Sequence, residues 1–210
     1  MAPRSESKRI PRRIGVTGSP ATGKRSVGAE LARLTGLRFI SLNDLAPERK
    51  LGKRESGEFV VDISRLRKEV GRVKTDKAVL CGHLLPLVLS RGSLDFVAVL
   101  RCSPSVLRRR YLERRYPESK IGENLEAEVL DLVSAEAVRV FGPEKVSEFD
   151  TTRIRKPRTV AARILETLRR QRKRCFGTVN WSDAARKDPE SLVRLLDPPD
   201  GGNRILYRKG

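Results

Sequence analysis

A chain of 210 residues, 38% of them hydrophobic, carries enough apolar surface for one sizeable α/β domain with an appendage. Its 45 Lys and Arg against 26 Asp and Glu give a formal net charge of +19, which points to a polyanionic partner, nucleic acid first, or to a merely solvated arginine-rich surface. The longest apolar stretch, Leu84 to Leu89, contains Pro86, and no apolar run follows the basic segment Met1–Arg13, which excludes membrane-spanning helices and a signal peptide.

In chain order, the apolar run Ile14–Thr17 predicts a short buried strand. The stretch Gly18-Ser-Pro-Ala-Thr-Gly23-Lys24-Arg25-Ser26 follows it. Val27, Leu31 and Leu34 then recur at helical spacing, predicting a helix over Lys24–Thr35. Strand, glycine-rich loop and helix are the context of a phosphate-binding loop. Its backbone amides, from Gly18 through Ala21, Thr22 and Gly23 to Ser26, would curl around phosphate oxygens at the positive end of a helix. Gly18 and Gly23 permit close approach and unusual dihedrals, and Lys24 supplies a mobile charge for the terminal phosphates of ATP. The strict pattern has Ser or Thr directly after the lysine as a magnesium ligand. Here Arg25 stands in that place, and Ser26, one residue later, is the candidate Mg2+ ligand.

Further strands are predicted over Arg38–Leu42, Ala78–Cys81, Phe96–Leu100 and, more weakly, Val146–Phe149. Helices are predicted over Ile63–Lys74, Leu84–Arg91, Pro104–Arg115, Glu123–Phe141 and Val160–Arg174, with Ser103 as N-cap before Pro104. Strands alternating with helices imply a three-layer α/β/α fold around a parallel sheet covered on both faces. Asn43–Phe59 and Glu113–Glu123 are polar and weakly patterned, as mobile lids or solvated loops would be. Asp62 reads equally as the N-cap of the helix from Ile63 or as a residue orienting an acceptor. Cys81, Cys102 and Cys175 have no metal-ligand spacing and read as reduced thiols of a cytoplasmic protein. The stretch Val160–Arg174 sets Arg163, Arg169, Arg170, Arg172, Lys173 and Arg174 against Glu166 alone, which suggests contact with RNA. Residues 1–10 form a basic arm, 11–175 the main domain, and 176–210 an extension either docked on it or loosely attached.

Several separated motifs together resemble the adenylate kinase isoenzyme 6 family of eukaryotic and archaeal P-loop proteins, over roughly residues 11 to 170. They are the loop Gly18–Ser26, Ser41-Leu-Asn-Asp-Leu-Ala46, Val61-Asp62, Cys81-Gly-His83, Arg114-Arg-Tyr116, Lys120-Ile121 with Glu123-Asn124, and Asp150-Thr-Thr152. The resemblance implies a nucleoside monophosphate kinase fold with a five-stranded parallel sheet, a monophosphate-binding segment at about 41–64 and a lid at about 113–123. It implies phosphoryl transfer from ATP to AMP or another nucleoside monophosphate, with ATP hydrolysis as a side activity. It further implies a part in late maturation of the small ribosomal subunit, through a small-subunit platform ribosomal protein with pre-ribosomal RNA nearby. Among residues, it implies Arg114 as a lid arginine on the ATP side; helix geometry adds Arg110, one turn earlier on the same face, and the loop motif sets Lys24 on the β and γ phosphates. His83, by itself an ordinary structural histidine, would serve water activation or communication with the partner protein.

Three positions depart from that family's pattern: Arg25, Cys81 where the family has a carboxylate, and Pro47 where it has a basic residue. They bear on turnover more than on nucleotide binding, so a catalytically weak, nucleotide-gated assembly factor is the alternative. A small-molecule kinase resembling shikimate kinase is a third reading, opposed by the lack of an evident acidic substrate motif after the second strand.

Overall fold

Ile14 and Val16 face one side of a sheet and Thr17 the other, and all three are sealed from solvent. The strand that carries them, β1 (Arg13–Gly18), therefore runs through the middle of the fold. This computed structural model describes residues 10–55, 58–73, 75–154, 156–170 and 176–181. After β1 come α1 (Lys24–Thr35), β2 (Arg38–Ser41), α2 (Leu42–Glu48), the hairpin strands β3 (Gly52–Glu55) and β4 (Glu58–Val61), and α3 (Ile63–Arg72). They are followed by β5 (Ala78–Cys81), α4 (Leu85–Val88), β6 (Phe96–Arg101), α5 (Pro104–Glu113), α6 (Glu118–Val129), α7 (Leu132–Phe141), β7 (Val146–Asp150) and α8 (Pro157–Arg169).

Five strands form one parallel sheet, as expected, and their order is β2-β5-β1-β6-β7. Strand periodicity sorts the core into two layers. Phe96, Ala98 and Leu100 of β6 pack with Val27 and Leu31 of α1 and with Val160, Ile164 and Leu168 of α8. Val97 and Val99 face the other way, onto Leu66 and Val70 of α3 and Ala137 and Phe141 of α7. A third, smaller cluster joins Ala21 of the loop after β1 to Leu107 and Tyr111 of α5 and Ile121 and Leu125 of α6. No helix among the described residues is long and apolar enough to cross a membrane.

The structure corrects several predicted boundaries. Asn43–Phe59 is not a bare loop: it holds most of α2, with Ser41 accepting from the Asp44 amide, and an antiparallel hairpin. Leu42 opens that helix instead of ending β2. The helix predicted over Glu123–Phe141 starts earlier, at Glu118, and breaks at Asp131, which adopts φ 56°. Aspartate tolerates that conformation, and the Asp131 carboxylate is taken by the buried Arg101 guanidinium, so a tertiary ion pair interrupts a locally helical sequence. The segment outside helices between α5 and α6 shrinks accordingly to 114–117. The helix predicted over Leu84–Arg91 is only one turn, because Leu89 is extended and Ser90 and Ser93 cap a following 3-10 turn. The last helix begins at Pro157, a proline at the first helical position. Ser103 is the N-cap residue of α5, as expected, but its hydroxyl pairs with that of Ser105 instead of accepting from a helix amide. Asp62 does cap α3, accepting from the Arg65 amide at 2.9 Å. The arm at 1–9, Lys74, the stretch 171–175 with Cys175, and the extension from 182 onward lie outside the described residues.

Candidate active site

The loop after β1 is shaped by its glycines. Gly18 has φ 143°, and a Cβ there would lie 2.3 Å from the Leu100 carbonyl oxygen, so the backbone of β6 leaves room for no side chain. Gly23, at φ 92°, turns the chain into α1, whose N-terminus receives no side-chain cap. Its first amides thus remain available at the positive end of the helix dipole. Lys24 folds back over the loop and donates from Nζ to the Ser19 carbonyl at 2.7 Å. Burial, reinforced by the nearby Arg114, lowers its pKa to about 8, although Cys81 and Glu128 pull the other way.

Two clefts open on either side of this loop. The first, of about 600 Å³, is lined by Ala21, Thr22, Gly23, Ser26 and Val27, by Arg109, Arg110, Glu113 and Arg114 of the α5 end, and by Thr151, Ile154, Pro157 and Val160. The second, of about 450 Å³, is lined by Lys24, Arg25, Asn43, Asp44, Cys81, Gly82, His83 and Tyr116. Ala21, Gly23, Ser26 and Arg114 border both. The site therefore lies at the carboxyl edge of the sheet, at β1, where the strand order reverses.

The structure brings the expected residues together unequally. Gly18, Ala21, Thr22, Gly23, Lys24, Ser26 and Arg114 converge on the loop. Arg110 reaches it too, but donates to the Ala21 carbonyl at 3.0 Å, and buried Tyr111 donates to the Pro20 carbonyl at 3.0 Å. Helix α5 thus clamps the loop by its backbone. Arg108 and Arg109 pair with Glu118 and Glu113. Arg25 turns away from the first cleft to form an ion pair with Asp44 at 3.0 Å. Cys81 is buried beside Lys24, and burial pushes its thiol up to about 11, so it is neutral at pH 7. His83 is exposed at the second cleft. Desolvation by the surrounding protein and then the Lys24 charge push its pKa down to about 4, and the ring is neutral at pH 7.

Sequence reading missed what holds the loop from beneath. Ser19 Oγ donates to Glu128 of α6. Glu128 also accepts from Arg101 Nε at 2.7 Å and from the Cys102 amide at 3.1 Å. Arg101 reaches Glu148 of β7 at 2.9 Å, and the side chains of Arg101, Glu128 and Glu148 are each about 1% exposed. The one available signal was Arg101 itself, a charge closing the wholly apolar run Phe96–Leu100.

As to metal, no group of three or more His, Cys, Asp or Glu suited to a metal ion occurs among the described residues. Ser26 offers a hard oxygen donor at the border of both clefts, Asp44 is engaged with Arg25, and the neutral Cys81 thiol is a poor magnesium ligand. Such a set fits a magnesium ion that is held mainly by nucleotide phosphates and water.

Residues 14–131 match the family described as AAA domain. Over 171 residues the chain is 37% identical to the "Putative adenylate kinase" of Thermococcus kodakarensis, covering 81% of this chain and 93% of that protein. It is 36% identical over 171 residues to the protein of the same name from Pyrococcus abyssi, with 81% and 91% covered. The corresponding Natronomonas pharaonis protein is 37% identical over 174 residues, with 81% and 98% covered. Among solved structures, a gluconokinase from Sinorhizobium meliloti superposes with a TM-score of 0.53 at 25% identity, over 79% of this chain and 99% of its own. The shikimate kinase of Acinetobacter baumannii gives the same score at 22% identity, over 79% and 96%, and shows the shared fold alone.

Proposed function

We propose that this chain, which belongs to the P-loop kinase family of those archaeal adenylate kinase relatives, transfers the terminal phosphoryl group of ATP to a nucleoside monophosphate, AMP in the first instance. The observation that carries the reading is the pair of clefts sharing one phosphate loop and one arginine, Arg114. Phosphoryl transfer asks for in-line placement of two nucleotides and neutralisation of charge between them, with little covalent help.

The loop amides and Lys24 hold the donor phosphates, and Lys24 exchanges its bond to the Ser19 carbonyl for phosphate oxygens. Arg114, at the border of both clefts, offers a guanidinium fork to the migrating group. Arg110 keeps the Ala21 carbonyl in place on the donor side. His83 and Asn43 line the acceptor side, where a neutral imidazole can donate or accept a hydrogen bond. Ser26 would hold the Mg2+ carried in by ATP, which supplies charge neutralisation on the phosphate oxygens.

The test is ADP formation from magnesium-ATP with and without AMP, with Lys24→Ala as control. AMP-dependent ADP formation that disappears in the variant supports the kinase. ATP binding without AMP-dependent turnover rejects it.

A second reading, a nucleotide-gated factor in small-subunit maturation with side ATPase activity, draws on the neutral Cys81, the Arg25–Asp44 pair and the +19 charge. Exposed Arg158, Arg163 and Arg169 of α8 offer a surface for pre-ribosomal RNA, and a platform ribosomal protein is the protein partner to test by pull-down. The third reading loses one objection, since Asp44 does put a carboxylate after β2 into the acceptor cleft. Its engagement by Arg25 and the 37% identity to adenylate kinase relatives still favour the nucleotide.

A further inference from the structure

Residues 176–181 lie at the carboxyl edge of the sheet. There the Thr178 and Val179 amides donate to Glu148 at 3.1 and 3.2 Å. The indole Nε1 of half-buried Trp181 donates to Glu128 Oε1 at 3.1 Å. The other oxygen of the same carboxylate accepts from Ser19 of the phosphate loop. Glu128 is thus gripped from one side by the loop and from the other by the C-terminal segment, with Arg101 between.

From this shared carboxylate we infer that docking of Trp181 and occupation of the phosphate loop by nucleotide are coupled, each favouring the other. The inference rests on the reading of that loop as an ATP site. Two physical arguments set the sign. Glu128 puts a negative charge directly behind a loop that must receive polyphosphate, and the indole N–H offsets part of that charge. In addition, when phosphate draws Lys24 away from the Ser19 carbonyl, the Ser19–Glu128 bond still holds that residue to α6. A carboxylate steadied by Trp181 holds that tie better. Reciprocity then requires nucleotide to tighten the docking of Trp181 by the same factor.

Trp181 is the only tryptophan, so the full chain reports on itself. ATP is titrated while binding heat and acrylamide quenching of Trp181 emission are followed in parallel. Quenching falls as ATP binds. Trp181→Phe, which keeps an aromatic ring but lacks the N–H donor, weakens ATP binding by about three- to tenfold, a part of the roughly 10- to 150-fold that one hydrogen bond to a charged group is worth, with an unchanged circular dichroism spectrum. In Ser19→Ala the quenching no longer responds to ATP. Adding Trp181→Phe to Ser19→Ala costs less than about twofold more, because residues acting through one carboxylate are not additive. Binding heat with unaltered Trp181 quenching, or additive effects of the two substitutions, would overturn the coupling alone. No binding heat at all would overturn the nucleotide reading and the coupling with it.

Discussion

Arg25 Nη2 lies 3.0 Å from Oδ2 of Asp44, so the first turns of α1 and α2 are tied across the cleft between them. The residue that displaces the usual hydroxyl after the loop lysine therefore has a carboxylate partner at the second cleft. The guanidinium side chain is 73% exposed, which limits the pair to at most about 1 kcal/mol of stability.

Arg25→Thr should accordingly leave ATP affinity within about threefold, by the same small energy, while freeing Asp44 and placing a hydroxyl next to Lys24. AMP-dependent turnover is expected to rise. Calorimetry and coupled ADP detection on the variant decide the matter, and a collapse of ATP affinity would show that Arg25 does contact the donor phosphates.

The lowered pKa of Lys24, about 8, fixes the pH dependence of binding. Phosphate favours the ammonium form, so the pKa rises in the complex. Below about pH 8 the free protein already carries that proton, and this group leaves affinity independent of pH. Above it, binding must take up a proton, and ATP affinity falls by up to about tenfold per pH unit until the complex itself titrates. Titrations from pH 7 to 9.5 should show the break, and Lys24→Ala should lack it. A flat profile in the unaltered protein would contradict the assignment.

Arg101→Met removes the cation between Glu128 and Glu148, both carboxylates about 1% exposed. Breaking a buried ion network from one side leaves uncompensated charge, at a cost of about 3–5 kcal/mol. Urea denaturation should place the loss in that range. A change under 1 kcal/mol would mean that water reaches the network.

Thr17 Oγ1 is the one buried side-chain polar atom without a hydrogen-bond partner among the described residues. Thr17→Val keeps the β-branched shape suited to a strand and removes a desolvated hydroxyl. Stability is expected to increase by about 1 kcal/mol, read as a higher melting temperature. Destabilisation would reveal a partner for that hydroxyl.

If α8 faces RNA, Arg163→Glu with Arg169→Glu weakens binding to a single-stranded RNA. The variant also reduces the slope of log affinity against log salt by about 1 to 2, as fewer counterions are released. Affinity unchanged by the double variant would remove α8 from any such interface.

Much of this was legible along the chain because local sequence carries it. Apolar runs of four or five residues marked all five sheet strands, and the glycine pattern marked the loop, since dihedral demands at Gly18 and Gly23 are set within a few residues. Helix ends were less legible. The break at Asp131 comes from Arg101, 30 residues distant in sequence, and the hairpin Gly52–Val61 hides in a polar segment without a core-facing pattern.

The sequence by itself determined the fold class, the phosphate loop and the candidacy of Lys24, because strand period, glycine dihedrals and motif spacing are short-range properties, whereas Arg114 was a candidate only through the family resemblance. Only the tertiary structure decided which partners those groups meet. It set Arg25 against Asp44, Arg110 on the Ala21 carbonyl, and the carboxylate of Glu128 between Ser19 and Trp181. A buried charge gains its meaning from the opposite charges that folding brings within about 3 Å, and no local pattern in the chain records that distance.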